Sequence, residues 1–311
     1  MKENVVALSE RGYLLPYKVA RHIRVMNGLF SGNRNVKETA EGLIERAEQR
    51  GGIHSIILSD EDISIRPDPA LLAEFREWFD VKVVFSMRRQ DLWLESWYFQ
   101  NIKWQWNPVL SHCTFDEFMA HQDSFHWIHY DQYVARLEDL FGAENVLLSV
   151  FEKQQMPDGP VACFCDMIGL GDISELKRPR HVNSSMSAEM VAFIRHLPLD
   201  KFAPPERDLL RVALEQVDRT ALGNTEKQSE RIMPHDQRRA VLAEYEAGNR
   251  ALAQRRFGRD TLFMEPLPSE DATLAHLELP QDPAAVLSRF VAPLLEQLVA
   301  NKTISGDNPK P

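Results

Sequence analysis

The chain has 311 residues, 44% apolar and 26% charged, the balance of a globular protein with enough chain for one large or two ordinary domains. A formal net charge of -10 and a pI of about 5.5 argue against a protein that coats duplex nucleic acid, although a few arginines can still converge on one small anion. Three cysteines make no disulfide framework, no uncharged run reaches the roughly 18 residues of a membrane span, and Met1-Lys2-Glu3-Asn4 opens no secretory signal. The chain is therefore read as soluble and cytoplasmic, with neither a membrane nor a nucleic acid as partner.

In chain order, residues 4–11 read as the tail of a helix closed by Gly12, and Tyr13-Leu14-Leu15-Pro16 as a short extended exit. Ala40, Leu43, Ile44 and Ala47 recur at helical spacing and predict a helix over Lys37–Gln49, stopped by Gly51-Gly52. Ile53–Ser59 is an apolar run of strand length. A helix is predicted over Pro69–Phe79, a strand over Val81–Met87 and a helix over Gln90–Trp106. Phe115–Ala120 and Asp131–Phe141 read as helices, the second ended by Gly142, and Val146–Phe151 as a strand. Nearly all-apolar strands alternating with amphipathic helices predict an α/β protein whose parallel sheet is covered on both faces. Beyond Val161–Gly169 the pattern turns helical, over Ser187–Leu197, Pro205–Leu222, Gln237–Phe257 and Pro283–Ala300, before a polar tail, Thr303–Pro311, expected to fray.

The segment Phe85-Ser-Met-Arg-Arg-Gln-Asp-Leu-Trp-Leu-Glu-Ser-Trp97 carries the main chemical signal. In open α/β sheets ligands bind beyond the carboxyl ends of strands, and Arg88 stands at such an end. The helix that follows directs its N-terminal partial charge and free N–H groups to the same place. Ser96, eight residues after Arg88, offers a hydroxyl from that helix. Guanidinium and hydroxyl together suit a phosphate. From spacing alone the alternative is an exposed arginine pair and a serine bonded to its own helix.

This stretch resembles the 3'-phosphate-binding motif of the sulfotransferases that use 3'-phosphoadenosine 5'-phosphosulfate. In that family a strand ends in Arg and a Ser follows eight residues later. "LSERGYLLP" (Leu8–Pro16), "IILSDEDIS" (Ile56–Ser64), "NVLLSVFEK" (Asn145–Lys153), "NSSMSAEMVAFIRHL" and "EYEAGNRALAQRRFGRDTLF" resemble further parts of a bacterial branch, collinearly from about residue 4 to residue 264. The resemblance implies a parallel sheet of the P-loop nucleotide-binding type flanked by helices. It implies one sulfotransferase-like domain over 1–264, mostly helical from about 187, and a helical C-terminal extension with a polar tail over 265–311. It further implies Arg88 and Ser96 as contacts of the donor's 3'-phosphate in one pocket, no metal, and a small-molecule or carbohydrate acceptor. The family's Lys-containing phosphosulfate loop, K-[ST]-G-T-[ST], has no counterpart. Gly32–Thr39 lacks a Gly-Lys-[Ser/Thr] core, and the loop would lie upstream of Asn4. The chain as given is thus expected to transfer sulfuryl groups poorly. The rival readings are a non-catalytic nucleotide- or carbohydrate-binding remnant of the fold and, disfavoured by the missing Gly-Lys-[Ser/Thr], a P-loop kinase relative.

A base that deprotonates the acceptor is sought near the same edge. Glu61, after the Ile53–Ser59 run, is the first candidate, because the flanking Asp60 and Asp62 can raise its pKa by repulsion; the alternative is an acidic turn that caps the next segment. His22 is the second candidate, suited to proton transfer near neutrality, with a structural role as its alternative. Trp104, Trp106, Trp127 and Phe125 line either an acceptor pocket or the core. Lys177, Arg178 and Arg180, before Asn183, form either a further phosphate contact or a solvated loop. The oligomeric state is not legible.

Overall fold

A computed structural model of the chain describes residues 2–19, 21–66, 68–177, 186–224 and 230–306. The backbone runs α1 (Val5–Glu10), β1 (Tyr13–Leu14), α2 (Ile23–Phe30), α3 (Val36–Arg50), β2 (Ser55–Ile56), α4 (Ala70–Ala73), β3 (Val83–Met87) and α5 (Gln90–Trp104). Next come α6 (Phe115–Met119), α7 (Tyr130–Phe141), β4 (Val146–Val150), α8 (Pro160–Met167), α9 (Ala188–Ile194), α10 (Pro204–Thr220) and α11 (His235–Phe257). Last are α12 (Pro283–Val286), a π turn (Leu287–Val291) and α13 (Ala292–Gly306). The protein is mixed α/β and mostly helical, with parallel strand pairing. In place of one wide sheet the described residues form two parallel pairs, β1–β2 and β3–β4.

The chain divides into two compact units, each discontinuous in sequence. The first takes Met1–Arg89, Ser124–Arg180 and Tyr245–Pro266; the second takes Gln90–Asp123, His181–Glu244 and Leu267–Pro311.

In the first unit, β3 and β4 pair in register from Val83 opposite Val146 to Met87 opposite Val150. Parallel pairing needs a long crossover, which α7 completes. Met87 and Val150 are buried with Tyr130 and Val134 of α7 and with Leu252 and Ala253 of α11, so those two helices cover the pair. Gly248 permits the approach of α11, because a Cβ there would stand 2.6 Å from the Asp131 carboxylate. A second core joins α2 and α3 through Val25, Met26, Leu29, Ala40, Leu43 and Phe75. Asn35 caps α3 by accepting from the Lys37 N–H at 2.7 Å, and Gly51 ends it at φ 72°. In the second unit, Leu94, Tyr98 and Ile102 of α5 are buried, as are Phe118, Met190, Val191, Leu214 and Val217.

Several expectations need correction. The run Ile53–Ser59 makes a ladder only at Ser55–Ile56, because its partner β1 is two residues long. Pro69–Phe79 is not one helix: after α4 the chain tightens into a 3-10 turn, Glu74–Glu77, whose Phe75 is buried. The helix α2 was not anticipated, since its short apolar pattern lies between two loops. The helix α13 continues to Gly306, into the stretch expected to fray, and the rest of that tail lies outside the described residues. Among the described residues no strand follows Val150, as the helical pattern predicts.

Candidate functional site

The carboxyl end of β3 is held by side chain to backbone bonds. The Arg88 N–H donates to the Tyr130 hydroxyl at 3.2 Å, and that hydroxyl donates to the Arg88 carbonyl. Arg88 itself is half-buried. Arg89 is buried, and its guanidinium donates to the carbonyls of Glu265 at 2.6 Å and Pro266 at 3.3 Å. Beyond β4, buried Glu152 accepts from the N–H groups of Met264 at 2.7 Å and Glu265 at 3.1 Å, and from the Gln155 amide at 2.7 Å. The two strand ends therefore grip the segment Leu262–Pro266 from opposite charges, and Arg89 and Glu152 are committed to that grip. The strand-final Glu of "NVLLSVFEK" thus fastens a chain segment.

The turn that carries Glu61 and the loop that carries His22 are brought together. The His22 N–H donates to the Ser59 carbonyl at 2.7 Å. The ring answers: Nδ1 accepts from the Ser59 N–H at 3.0 Å, which leaves the proton on Nε2, where it donates to the Pro16 carbonyl at 2.9 Å. His22 is 1% exposed. Both nitrogens are occupied by backbone, so the ring ties the loop after β1 to the loop after β2. Arg21 holds the acidic turn, with ion pairs of 2.8 Å to Asp60 and 2.9 Å to Asp62. Burial opposes the Arg21 charge, but the Asp60 hydrogen bond and the surrounding carboxylates outweigh it and raise its pKa. Asp60 also accepts from the Asp62 N–H, which makes it the cap of the turn Glu61–Ile63. Glu61 is left exposed between two engaged neighbours. Arg88 stands at the end of the other strand pair.

Ser96 belongs to the second unit, half-buried on α5. The same helix carries a buried charge cluster. Asp91 and Glu95 are buried one turn apart, and Arg238 of α11, 1% exposed, pairs with them at 2.5 Å and 2.8 Å. Glu95 also accepts from the N–H groups of Ile232 at 2.9 Å and Met233 at 2.8 Å. Burial opposes the charge on Arg238, and Glu95 with Asp91 more than compensates, so its pKa is raised. A signal was present: residues 91 and 95 fall on the stripe of Leu94, Tyr98 and Ile102, where a carboxylate is buried unless the helix rotates.

The aromatic candidates separate. Phe125 and Trp127 are buried in the first unit with ring centroids 5.5 Å apart. In the second unit Trp104 and Trp106 stack at 6.0 Å, Trp97 lies 5.9 Å from Trp106, and the Arg211 guanidinium covers Trp104 at 4.3 Å. Trp106 is exposed, and its indole N–H donates to buried Asn101 at 3.2 Å. The Lys177 backbone is clamped by the Asn4 amide at 2.9 Å and 2.8 Å, while Arg178, Arg180 and Asn183 lie outside the described residues. Of the histidines grouped in sequence, His112 meets the Arg195 carbonyl and Asp200, and His126 the Arg66 carbonyl. Among the described residues no three His, Cys, Asp or Glu side chains are grouped so as to hold a metal ion. One helix among them, Pro283–Asn301, is long and apolar enough by length and composition to cross a membrane. Arg289 and Glu296 interrupt that stretch, so no uncharged run marks it in the sequence.

No protein-family model matches the chain, and no curated protein or solved structure matches it either.

Proposed function

We propose that the protein is sulfotransferase-like, built on a sheet of the P-loop nucleotide-binding type, and binds 3'-phosphoadenosine 5'-phosphosulfate through the donor's 3'-phosphate. The observation that carries this reading is Arg88 directly after a parallel β-strand with Ser96 eight residues on, in the helix that follows. The collinear resemblance from about residue 4 to residue 264 supports it. In the reaction the bond between sulfur and the donor's phosphate oxygen breaks, and a bond from the acceptor oxygen to sulfur forms. The acceptor hydroxyl loses its proton to a base, and adenosine 3',5'-bisphosphate leaves. Exposed Glu61 is the carboxylate proposed for that proton, since His22 has both ring nitrogens engaged. The acceptor is a hydroxyl, or an amine, on a small molecule or carbohydrate.

Because these 311 residues contain no Lys-Ser/Thr donor loop, binding is the primary measurement. Titration calorimetry with adenosine 3',5'-bisphosphate should give a saturable isotherm, weakened roughly ten-fold or more by Arg88→Ala and less by Ser96→Ala, because a charge-assisted contact is worth about 1.5–3 kcal/mol. No binding to wild type, or equal binding by wild type and Arg88→Ala, removes this reading. Binding without sulfuryl transfer would favour a nucleotide-binding protein of the same fold. Where transfer is measurable, Glu61→Gln should lower turnover by about 10²–10⁴ and leave donor affinity nearly unchanged.

A further inference from the structure

The C-terminal helix presents an apolar stripe. Leu287, Leu295 and Val299 are 58%, 57% and 66% exposed, whereas Phe290 is fully buried against Phe193 with ring centroids 4.7 Å apart. Phe290 is the buried residue of the stretch Pro283–Asn301, while Leu287, Ala292, Leu295 and Val299 are all exposed, so the outward face carries solvent-exposed apolar side chains along its length. The π turn over Leu287–Val291 explains the alignment. A π turn closes i to i+5 and so takes up about one residue more than an α turn. The eight positions from Leu287 to Leu295 then span two full turns and put both side chains on one line, with Ala292 between them and Val299 one turn further. The same turn sends Phe290 to the opposite, buried face.

The charges decide what fits on this stripe. Arg289 and Glu296 flank it on one side, and Ala292, a small residue, lies midway between them. A second copy of the helix laid antiparallel about a two-fold axis near Ala292 brings each Arg289 beside the other chain's Glu296. In antiparallel helix pairs, residues on the same flank face each other; in a parallel pair each flank faces the partner's opposite flank, so Arg289 and Glu296 would not meet. Arg289 already holds Glu189 at 2.8 Å, which fixes the guanidinium at the edge of the stripe with donors to spare. A lipid surface fits less well. Helices that lie on membranes are rich in Lys and Arg along the polar face, whereas here the chain carries a net charge of -10.

We propose that the protein forms a two-fold homodimer through antiparallel pairing of the helices Pro283–Asn301, with Arg289–Glu296 ion pairs across the axis. The stretch of 19 residues is about 28 Å long and covers less than the roughly 800 Å² per partner of a standard interface. The dissociation constant is then on the order of micromolar.

Sedimentation equilibrium across protomer concentrations up to about 100 µM tests this, that upper limit being well above a micromolar constant. Wild type should be dimeric at the upper end, and Leu295→Glu should weaken the dimer at least ten-fold while keeping its circular dichroism and melting temperature, since the residue is exposed. Arg289→Glu and Glu296→Arg should each weaken it alone. An equimolar mixture of those two variants should recover the dimer, because every cross-pair is then opposite in charge, although the variant chain still lacks its own Arg289–Glu189 bond. A wild type that stays monomeric overturns the proposal. So does a dimer indifferent to Leu295→Glu, or a mixture no better than either variant alone. Wild type that is monomeric but binds phosphatidylcholine–phosphatidylglycerol vesicles through Leu295 would replace it with a membrane-facing helix.

Discussion

Each unit closes on a buried glutamate that accepts two consecutive backbone amides, and the two differ in what neutralises them. In the first unit Glu152 takes the N–H groups of Met264 and Glu265 together with the neutral Gln155 amide, and among the described residues it forms no ion pair. In the second, Glu95 takes those of Ile232 and Met233 and is also paired with Arg238, which Asp91 shares. The first arrangement satisfies one charge with dipoles. The second places three charges in the interior with a net charge of minus one, in the first two turns of α5, where the helix dipole favours an anion. A cluster held by dipoles is weakened by degrees as bonds are lost, whereas a cluster held by charges fails when one partner is removed.

The largest effect expected from this contrast is Arg238→Met, which removes the counter-ion of two buried carboxylates and should cost about 3–5 kcal/mol in urea unfolding. Replacing all three by apolar residues of similar size, with Asp91→Leu and Glu95→Met added, should return most of that loss. A triple variant as unstable as the single one would show that the Glu95 bonds to the loop dominate, and the contrast would vanish.

Glu152→Ala should cost about 1–3 kcal/mol, the penalty for amide donors left without an acceptor. A loss as large as that of Arg238→Met would mean that the grip on Leu262–Pro266 is as cooperative as the ionic cluster. Tyr130→Phe removes the hydroxyl that bridges both backbone groups of Arg88 and should cost about 1 kcal/mol, read in the same melts.

The smallest expected difference is alkaline. Burial pushes the Cys113 thiol of the second unit from 9.0 up to about 11, and the Tyr133 phenol of the first from 10.0 up to about 12. Each group keeps its proton in the folded state where the unfolded chain has lost it. The associated stability is whole below the ordinary value and is lost as pH rises, from 9.0 through about 11 for Cys113 and from 10.0 through about 12 for Tyr133. Cys113→Ser should flatten the lower part of that slope and Tyr133→Phe the upper part, in unfolding free energies measured at successive pH values.

The local signals set much of this molecule. Periodicity placed α3, α5, α7, α10 and α11 within a few residues, because each carries an apolar stripe longer than two turns and is bounded by Gly, Pro or a polar cap. The apolar runs before Arg88 and Glu152 marked β3 and β4, and their buried character predicted parallel pairing. The acidic turn at Glu61 and the strand-end Arg88 were equally legible, since residue type and position along the chain define them. What pairs with what was not legible. Arg21 with Asp60, Arg238 with Asp91 and Glu95, and Glu152 with the amides of Met264 and Glu265 join residues far apart in sequence, and no periodicity encodes such contacts. His22 read as a candidate base from its type alone, and only the fold fills both of its nitrogens with backbone partners. The π turn likewise came from packing. Within that turn Phe290 is buried while Leu287 and Leu295 stand exposed on the outer face, and the extra residue that an i to i+5 turn takes up brings those two into line.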